Sequence, residues 1–114
     1  SNKGIDIYFG IGGAPEGVLA AAALECFNCQ MQTRLKFYEK NEEKKATNLG
    51  IKDLNKKYNI KDMVKSDVIF CATGVTDGDL VKGISDKKSY YETSTFVLHK
   101  SSKINKKITN KHKK

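Results

Sequence analysis

The sequence predicts an α/β fold with a layered, mixed but mainly parallel sheet and flanking helices. An apolar run at residues 5–9 precedes a glycine-rich turn, and that turn precedes a stretch rich in Ala and Leu. Residues 30–38 then alternate apolar and polar side chains, which is the period-two pattern of a strand. Strand, helix and strand joined by short links form a βαβ unit, whose strands are normally parallel.

The turn before the first helix reads GIGGAPEG, residues 10–17. A helix is predicted over about residues 14–27 because Ala and Leu have high helix propensity, with Asn28 as its C-terminal cap. Pro15 suits the first helical position and places Glu16 in the first turn, where the helix dipole stabilises a carboxylate. The glycines let a ligand approach the backbone, and free N–H groups at a helix start bind anions. A phosphate site with a metal beside Glu16 is one interpretation, and a simple packing turn is equally favoured.

Two common phosphate motifs do not match this turn. A dinucleotide fingerprint needs a third glycine where Pro15 stands, and a P-loop needs a Lys followed by Ser or Thr. Glu39 lies after the second predicted strand, where a dinucleotide-binding fold places its ribose-binding acid. That position keeps a Rossmann-like cofactor domain as an alternative.

The middle of the chain predicts a second helix and a central strand. Asn41 is the predicted N-cap of this helix, and Gly50 ends it. Short helical turns are predicted at residues 53–58 and 62–65. The apolar run Val68–Ala72 predicts a buried central strand.

The last third of the chain predicts a hairpin and a solvated end. Residues 80–84 and 90–99 favour two antiparallel strands around a turn at residues 86–88. The Lys-rich stretch from Lys100 to Lys114 is interpreted as a solvated or frayed end.

Composition limits the function classes. The 114 residues form one domain or part of one, with a formal charge of +8 and a pI near 9.4. Arg34 is the single arginine, and base-reading proteins favour arginine forks and stacked aromatics, so nucleic acid is disfavoured. No apolar run approaches the ~18 residues of a membrane span, and no signal peptide is recognisable. A cytoplasmic location is therefore expected.

The three cysteines, Cys26, Cys29 and Cys71, are predicted to be buried, reduced thiols. The Cys26–Cys29 pair lies at the C-terminal end of the first helix, where the dipole does not lower a thiol pKa. No second pair at zinc-ligand spacing accompanies it. His99 and His112 also lack partners at metal spacing and are interpreted as surface residues.

Two blocks resemble a known family. Residues 10–35, GIGGAPEGVLAAAALECFNCQMQTRL, closely resemble the class II fructose-1,6-bisphosphatases, the GlpX-type bacterial enzymes, and so does the block at residues 72–83, which begins ATGVTDG. The resemblance runs from roughly Ile5 to His112 but covers only the C-terminal part of the family's length. It divides the chain into a cloning remnant at residues 1–3, a C-terminal α/β portion of a sugar-phosphatase-like fold at 4–112, and a basic tail at 113–114.

The resemblance implies a function. It implies a phosphatase that removes the 1-phosphate of fructose 1,6-bisphosphate to give fructose 6-phosphate in gluconeogenesis, with Mg²⁺ or Mn²⁺. Glu16 matches a family metal ligand, while Gly13 and, more weakly, Gly12 match positions against the bound sugar phosphate. The catalytic residues and most acidic ligands belong to the family's N-terminal half, so we expect this chain alone to be inactive. That half is an implied partner, and the intact enzyme is expected to be a homo-oligomer.

Three further residues are candidates for supporting the site. Turn chemistry is slightly preferred for Thr76 and Asp77, with support of a metal or phosphate as the alternative. Arg34 is interpreted as a strand residue paired with a carboxylate, ahead of a bidentate phosphate contact. Besides the Rossmann-like domain, a basic interaction domain without chemistry remains an alternative function.

Overall fold

The computed structural model describes residues 4–114, so the expected cloning remnant at residues 1–3 lies outside the described residues. The helices are α1 (Ala14–Cys26), α2 (Lys40–Asn48) and α3 (Ile60–Met63). The strands are β1 (Gln32–Arg34), β2 (Lys57–Asn59), β3 (Ile69–Thr73), β4 (Ser85–Asp86), β5 (Tyr90–His99) and β6 (Ile104–Lys113). Between residues 4 and 114, no helix has the length and apolar content needed to cross a membrane.

Strand β5 organises the larger sheet. It pairs with β3 and β4 along one edge and with β6 along the other. A separate two-stranded sheet joins β1 to β2. Every strand pairing in the described part of the chain is antiparallel, so the fold is mixed α/β and the expected mainly parallel sheet is not observed.

The predicted βαβ unit is wrong for a physical reason. The second strand is reduced to β1, which pairs with β2 rather than with residues 5–9. Residues 5–9 form no strand and lie exposed, with Ile5 at 78% and Phe9 at 88% exposure. Period-two alternation describes a strand in either direction, so the local pattern did not determine which segments pair.

Strand β3 was predicted to be central and buried, and it is neither. Its only strand neighbour among the described residues is β5. Phe70 and Ala72 are half-buried, whereas Ile69 is 63% exposed and Cys71 is exposed. A continuous apolar run is typical of strands covered on both faces, but here burial alternates along the strand.

The core lies where α1 packs on the sheet. Phe96 and Leu98 of β5 are 6% and 1% exposed, and Ala21 of α1 is fully buried. The rings of Phe27 and Phe96 stack with centroids 6.2 Å apart. Helix α1 also contacts β3 and α3. This packing fixes the direction of α1 and therefore the position of the turn before it.

Both long helices end as predicted. Asn28 adopts φ 55° after α1, and Gly50 adopts φ 91° after α2. In each case the next amide donates to a carbonyl five residues back, Cys29 to Leu24 and Ile51 to Ala46, as in the Schellman motif. The start of α2 differs, because its N-cap is Glu39 rather than Asn41.

The predicted hairpin has a shorter first strand than expected, and the basic C-terminal stretch contains a strand that was not predicted. Strand β5 has its predicted bounds, but residues 80–84 form a loop and the partner strand is the short β4. The stretch expected to be frayed contains β6, which pairs with β5 over its full length. Lysines on an exposed edge strand discourage pairing with other chains. Lys111 also lies over the Tyr90 ring at 5.0 Å.

The two helical turns predicted between α2 and β3 are also partly wrong. Residues 53–58 contain a turn at residues 54–55 but then enter β2. Helix α3 begins at Ile60, two residues before the predicted turn, because Asn59 acts as its N-cap and accepts a hydrogen bond from the Asp62 N–H at 3.1 Å.

A polar cluster fastens the start of β3 to the β5–β6 turn. The Asp67 Oδ2 accepts a hydrogen bond from the Ser101 hydroxyl at 2.6 Å and lies 2.8 Å from His99 Nε2. The Ser101 backbone N–H donates to Asp67 Oδ1 at 3.1 Å. Hydrogen bonds from Ser101, followed by the one from His99, lower the pKa of Asp67 to about 2.

This cluster predicts a pH dependence of stability. Because the pKa of Asp67 is lower in the folded chain than its ordinary 3.8, the stabilisation is present above pH 3.8 and is lost as the pH falls toward 2. We expect Asp67→Asn to be less stable at pH 6 and to lose less stability on acidification. Thermal melts between pH 2 and 6 measure this, with Asp79→Asn as an exposed loop control. Parallel profiles for wild type and Asp67→Asn would contradict it.

Candidate metal and phosphate site

Glu16 lies in the first turn of α1, as the sequence predicts. Pro15, the residue before it, is at the second helical position, and the helix begins after Gly13, whose extended backbone (φ −65°, ψ 156°) is typical of an N-cap. The Glu16 side chain is exposed, and no hydrogen bond or ion pair within residues 4–114 holds its carboxylate. An exposed carboxylate on a rigid helix start is available to a cation.

The two glycines before α1 leave volume that a side chain would fill, and only Gly13 lies against the Glu16 carboxylate. A Cβ at Gly13 would collide with the Glu16 carboxylate oxygen, since the carboxyl carbon itself lies 3.2 Å from that position. A Cβ at Gly12 would meet no atom within 4 Å. The carboxylate therefore folds back over the Gly13 backbone, while the Gly12 side remains open for a ligand. The structure thus brings Gly13 and Glu16 together.

Asp77 closes its own loop between β3 and β4. Its Oδ1 accepts a hydrogen bond from the Gly83 N–H at 2.9 Å. A Cβ at Gly83 would lie 2.6 Å from the Thr76 carbonyl carbon, so this glycine permits close backbone contact. Asp77 thus makes a hydrogen bond within its own loop, and Thr76 contributes its backbone to the same close contact.

The same loop borders a polar cavity of about 530 Å³. Its charged and hydroxyl-bearing lining residues are Asp77, Lys82, Ser85, Lys87, Glu92 and Ser94. Of these residues, only Asp77 was predicted from the sequence as a candidate site residue. They come from the loop, from β4, from the turn after β4 and from β5. The pairing of β4 with β5 brings Ser85 opposite Glu92.

The loop contact gives a stability prediction. Asp77→Ala removes the acceptor for the Gly83 N–H, so we expect a loss of about 0.5–1.5 kcal/mol in the free energy of unfolding. Asp77→Asn keeps an oxygen acceptor and should lose less. Urea unfolding of both variants measures the difference. Equal losses would show that the charge of Asp77, and not its hydrogen bond, supports the loop.

Arg34 and Glu39 lie elsewhere. Arg34 is on β1 opposite Lys57, and no ion pair with a carboxylate is present in the described residues, so the expected carboxylate pairing is not observed. Glu39 precedes α2, where Glu42 accepts a hydrogen bond from its N–H at 3.3 Å. Because no two strands are parallel in the part of the chain that the structure describes, Glu39 does not occupy a ribose-binding position of a Rossmann fold.

The cysteines and histidines form no metal centre. All three thiols are free, but Cys26 is half-buried and Cys29 and Cys71 are exposed, which corrects the expected burial. Burial raises the pKa of Cys26, and the nearby charges of Asp67 and Glu25 raise it further. Across residues 4–114, no three His, Cys, Asp or Glu side chains are grouped to hold a metal. Among the described residues, Glu16 is therefore not part of a group of three such side chains.

Comparison with known proteins identifies the family. The family model described as "Bacterial fructose-1,6-bisphosphatase, glpX-encoded" matches residues 1–112. The chain is 38% identical to "Fructose-1,6-bisphosphatase class 2" of Haemophilus influenzae over 122 aligned residues. It is 35% identical to "Fructose-1,6-bisphosphatase 1 class 2" of Escherichia coli K12 over 121.

Each alignment covers 95% of this chain but 36% of the relative, so the chain spans about a third of the length of these relatives. The match includes both glycine-containing loops described above. The chain belongs to the family of glpX-encoded bacterial fructose-1,6-bisphosphatases.

Proposed function

We propose that this chain supplies part of the active site of a metal-dependent phosphatase that converts fructose 1,6-bisphosphate into fructose 6-phosphate and inorganic phosphate. The observation that carries the proposal is the exposed Glu16 carboxylate beside the open Gly12–Gly13 backbone, inside a segment matched by the family. The substrate follows from the relatives' names and from the sequence resemblance.

The residues present fit one ligand position of a Mg²⁺ or Mn²⁺ site. Both cations prefer carboxylate oxygen, and Glu16 has no protein partner that competes for its oxygens within the described residues. A bound divalent cation supplies polarisation of the phosphoryl group and activation of water. Glu16 would hold the cation, and the packing of α1 on the sheet would keep this carboxylate in place.

The glycines have a different task. Free N–H groups at the start of α1 attract a phosphate through hydrogen bonds and the helix dipole. Gly12 has open space around it, so the sugar phosphate can approach the backbone there. Gly13 leaves room for the Glu16 carboxylate. We propose that these two glycines position the phosphate next to the metal ligand.

In this proposal Asp77 and Thr76 do not contact the metal or the phosphate; they stabilise the conformation of the loop between β3 and β4. The hydrogen bond from Gly83 to Asp77 holds the loop closed. Arg34 has no assigned contact with phosphate, because its strand belongs to the separate β1–β2 sheet.

The test compares this chain with a hybrid enzyme. The hybrid is the Haemophilus influenzae relative in which this chain replaces the segment that it matches. We expect the hybrid to release phosphate from fructose 1,6-bisphosphate in a Mg²⁺- or Mn²⁺-dependent manner that EDTA abolishes. We expect the 114-residue chain alone to release none, because Glu16 is its single candidate carboxylate at the described site. Metal-dependent turnover by the chain alone would contradict this expectation.

A further inference from the structure

The polar cluster at the β5–β6 turn contains a serine, a histidine and an aspartate in one chain of hydrogen bonds. The Ser102 Oγ lies 2.6 Å from His99 Nδ1, and His99 Nε2 lies 2.8 Å from Asp67 Oδ2. Asp67 and His99 are 32 residues apart in the sequence, and the pairing of β3 with β5 brings them together. A nucleophile, a base and a group that orients the base are the parts of a nucleophilic site.

The protons in this chain of contacts have one consistent arrangement. Hydrogen bonds from Ser101 and then from His99 lower the pKa of Asp67 to about 2, so its carboxylate is ionised at neutral pH and only accepts hydrogen bonds. His99 Nε2 therefore carries the ring proton and donates it to Asp67. The other nitrogen of a neutral ring is an acceptor, so the Ser102 hydroxyl donates to Nδ1. In this arrangement a histidine can remove the proton of a serine.

Ser101 holds the carboxylate and does not compete for the base. Its hydroxyl donates to Asp67 Oδ2 at 2.6 Å, and its backbone N–H donates to Asp67 Oδ1 at 3.1 Å. Its Oγ also lies 3.1 Å from His99 Nε2, but that nitrogen bears a proton and cannot accept one. The acceptor nitrogen of His99 is therefore left to Ser102.

The Ser102 side chain is accessible from solvent. Its backbone N–H donates to no protein acceptor within residues 4–114. In the serine proteases the N–H of the nucleophilic serine helps to stabilise the oxyanion, and the Ser102 N–H is available for the same contact. The turn is closed by a hydrogen bond from the Lys103 N–H to the Lys100 carbonyl at 3.2 Å, which fixes the backbone on both sides of Ser102.

We infer that Ser102, His99 and Asp67 form a second nucleophilic site, at which small activated esters acylate Ser102. The two ring nitrogens have exchanged places relative to the serine proteases, but such a site is defined by the roles of its groups. The inference is independent of the proposed phosphatase function, because these three residues lie outside the Gly12–Glu16 turn.

The reaction needs no group beyond the ester and water. His99 Nδ1 takes the Ser102 proton while Oγ attacks the carbonyl carbon of the ester. The tetrahedral intermediate then breaks its bond to the leaving group, which receives that proton from Nδ1, and the acyl group remains on Oγ. Water that gives a proton to Nδ1 attacks this acyl ester, and Oγ leaves with the proton as the acid is released.

A fluorophosphonate probe measures this reactivity in the full 114-residue chain. Ser102 Oγ forms a bond to phosphorus, and fluoride leaves. We expect one label per chain, placed on Ser102 by tandem mass spectrometry, and release of p-nitrophenol from p-nitrophenyl acetate. Ser102→Ala and unfolding in urea should abolish the label. A label on Ser101 or Ser66, no label, or equal labelling of the urea-unfolded chain would overturn the inference.

Matched histidine substitutions test the base. His99→Gln should slow labelling of Ser102 about 10²-fold or more, because a positioned general base commonly contributes that much. His112→Gln is the control, since His112 Nε2 lies 2.9 Å from Thr93 Oγ but no carboxylate pairs with this ring in the part of the chain that the structure describes. Thermal melts identify variants that do not fold, and His99→Asn replaces His99→Gln in that case. Equal labelling rates for the two histidine positions would overturn the inference.

Asp67 is a positioning residue, so its test includes the tautomer of His99. In Asp67→Asn the amide can donate to Nε2, which moves the ring proton to Nδ1 and removes the acceptor for the Ser102 hydroxyl. NMR spectra of chain with isotope-labelled histidine should show a protonated Nε2 in the wild type and a protonated Nδ1 in the variant. Labelling of Ser102 should fall about tenfold or more with this change of tautomer. A wild-type ring protonated at Nδ1, or a changed tautomer with a normal labelling rate, would overturn the inference.

Discussion

Glu16→Gln in the hybrid enzyme is expected to lower kcat on the order of 10²-fold or more and to raise the metal concentration needed for half-maximal rate. Losing one group that stabilises the transition state commonly costs this much. Glutamine keeps the size of the side chain and removes the anionic oxygen that would bind the cation. Rates measured over a Mn²⁺ titration, together with a thermal melt, separate metal binding from folding.

The matched control for this variant is Glu42→Gln. Glu42 lies in the first turn of α2, as Glu16 does in α1. Both substitutions remove a carboxylate charge at a helix N-terminus, an effect of about 0.3–1 kcal/mol on stability. The glutamine oxygen at position 42 can still accept the hydrogen bond from the Glu39 N–H that Glu42 accepts. Only Glu16→Gln should change kcat and metal dependence. If both variants lose stability alike and both keep normal kcat, Glu16 is only a helix-start residue.

Leu98→Ala is expected to lower the free energy of unfolding of this chain by about 2–5 kcal/mol. Leu98 is 1% exposed and lies in the middle strand of the larger sheet, opposite Phe70 on one side and Asn105 on the other. The substitution leaves a cavity, and the described core contains few other buried apolar side chains that could move to fill it. The loss corresponds to a decrease of about 10–25 °C in Tm for a domain of this size.

Ile69→Ala serves as the control for Leu98→Ala. Ile69 is also an aliphatic strand residue of this sheet, but it is 63% exposed. Its truncation should cost under about 1 kcal/mol, within the range of strand propensity differences. Similar losses for both variants in urea unfolding would show that Leu98 is not the centre of the core.

The sequence predicted those elements whose signals are local. Asn28 and Gly50 end their helices because each adopts a positive φ, and β5 has its predicted bounds. The direction of strand pairing was wrong, since alternation at residues 30–38 fits an antiparallel partner as well as a parallel one. Strand β6 was not predicted because a lysine-rich stretch is typical of a solvated chain end. Its pairing with β5 is made by backbone N–H and C=O groups, which are present whatever the side chains are.

At the candidate site, too, the sequence predicted only the features that depend on local signals. Glu16 follows from Pro15 and the glycines, all of which act within one turn. The cavity at Asp77 was not predictable, because Glu92 comes opposite Ser85 only through the pairing of β4 with β5. The described residues contain no group of three metal-ligating side chains, so the proposed metal would need ligands in addition to Glu16.

The central place of β5 also bears on the order of folding. Strands β5 and β6 meet through the turn at residues 100–103, and hairpins of this kind form in about 1–10 μs. Strand β3 joins β5 only after a longer loop closes, which carries a larger entropic cost. We infer that the β5–β6 hairpin forms first and that β3 then pairs with the edge of β5 that β6 leaves free. Changes in the β5–β6 turn should then slow folding, and changes in β3 should mainly speed unfolding.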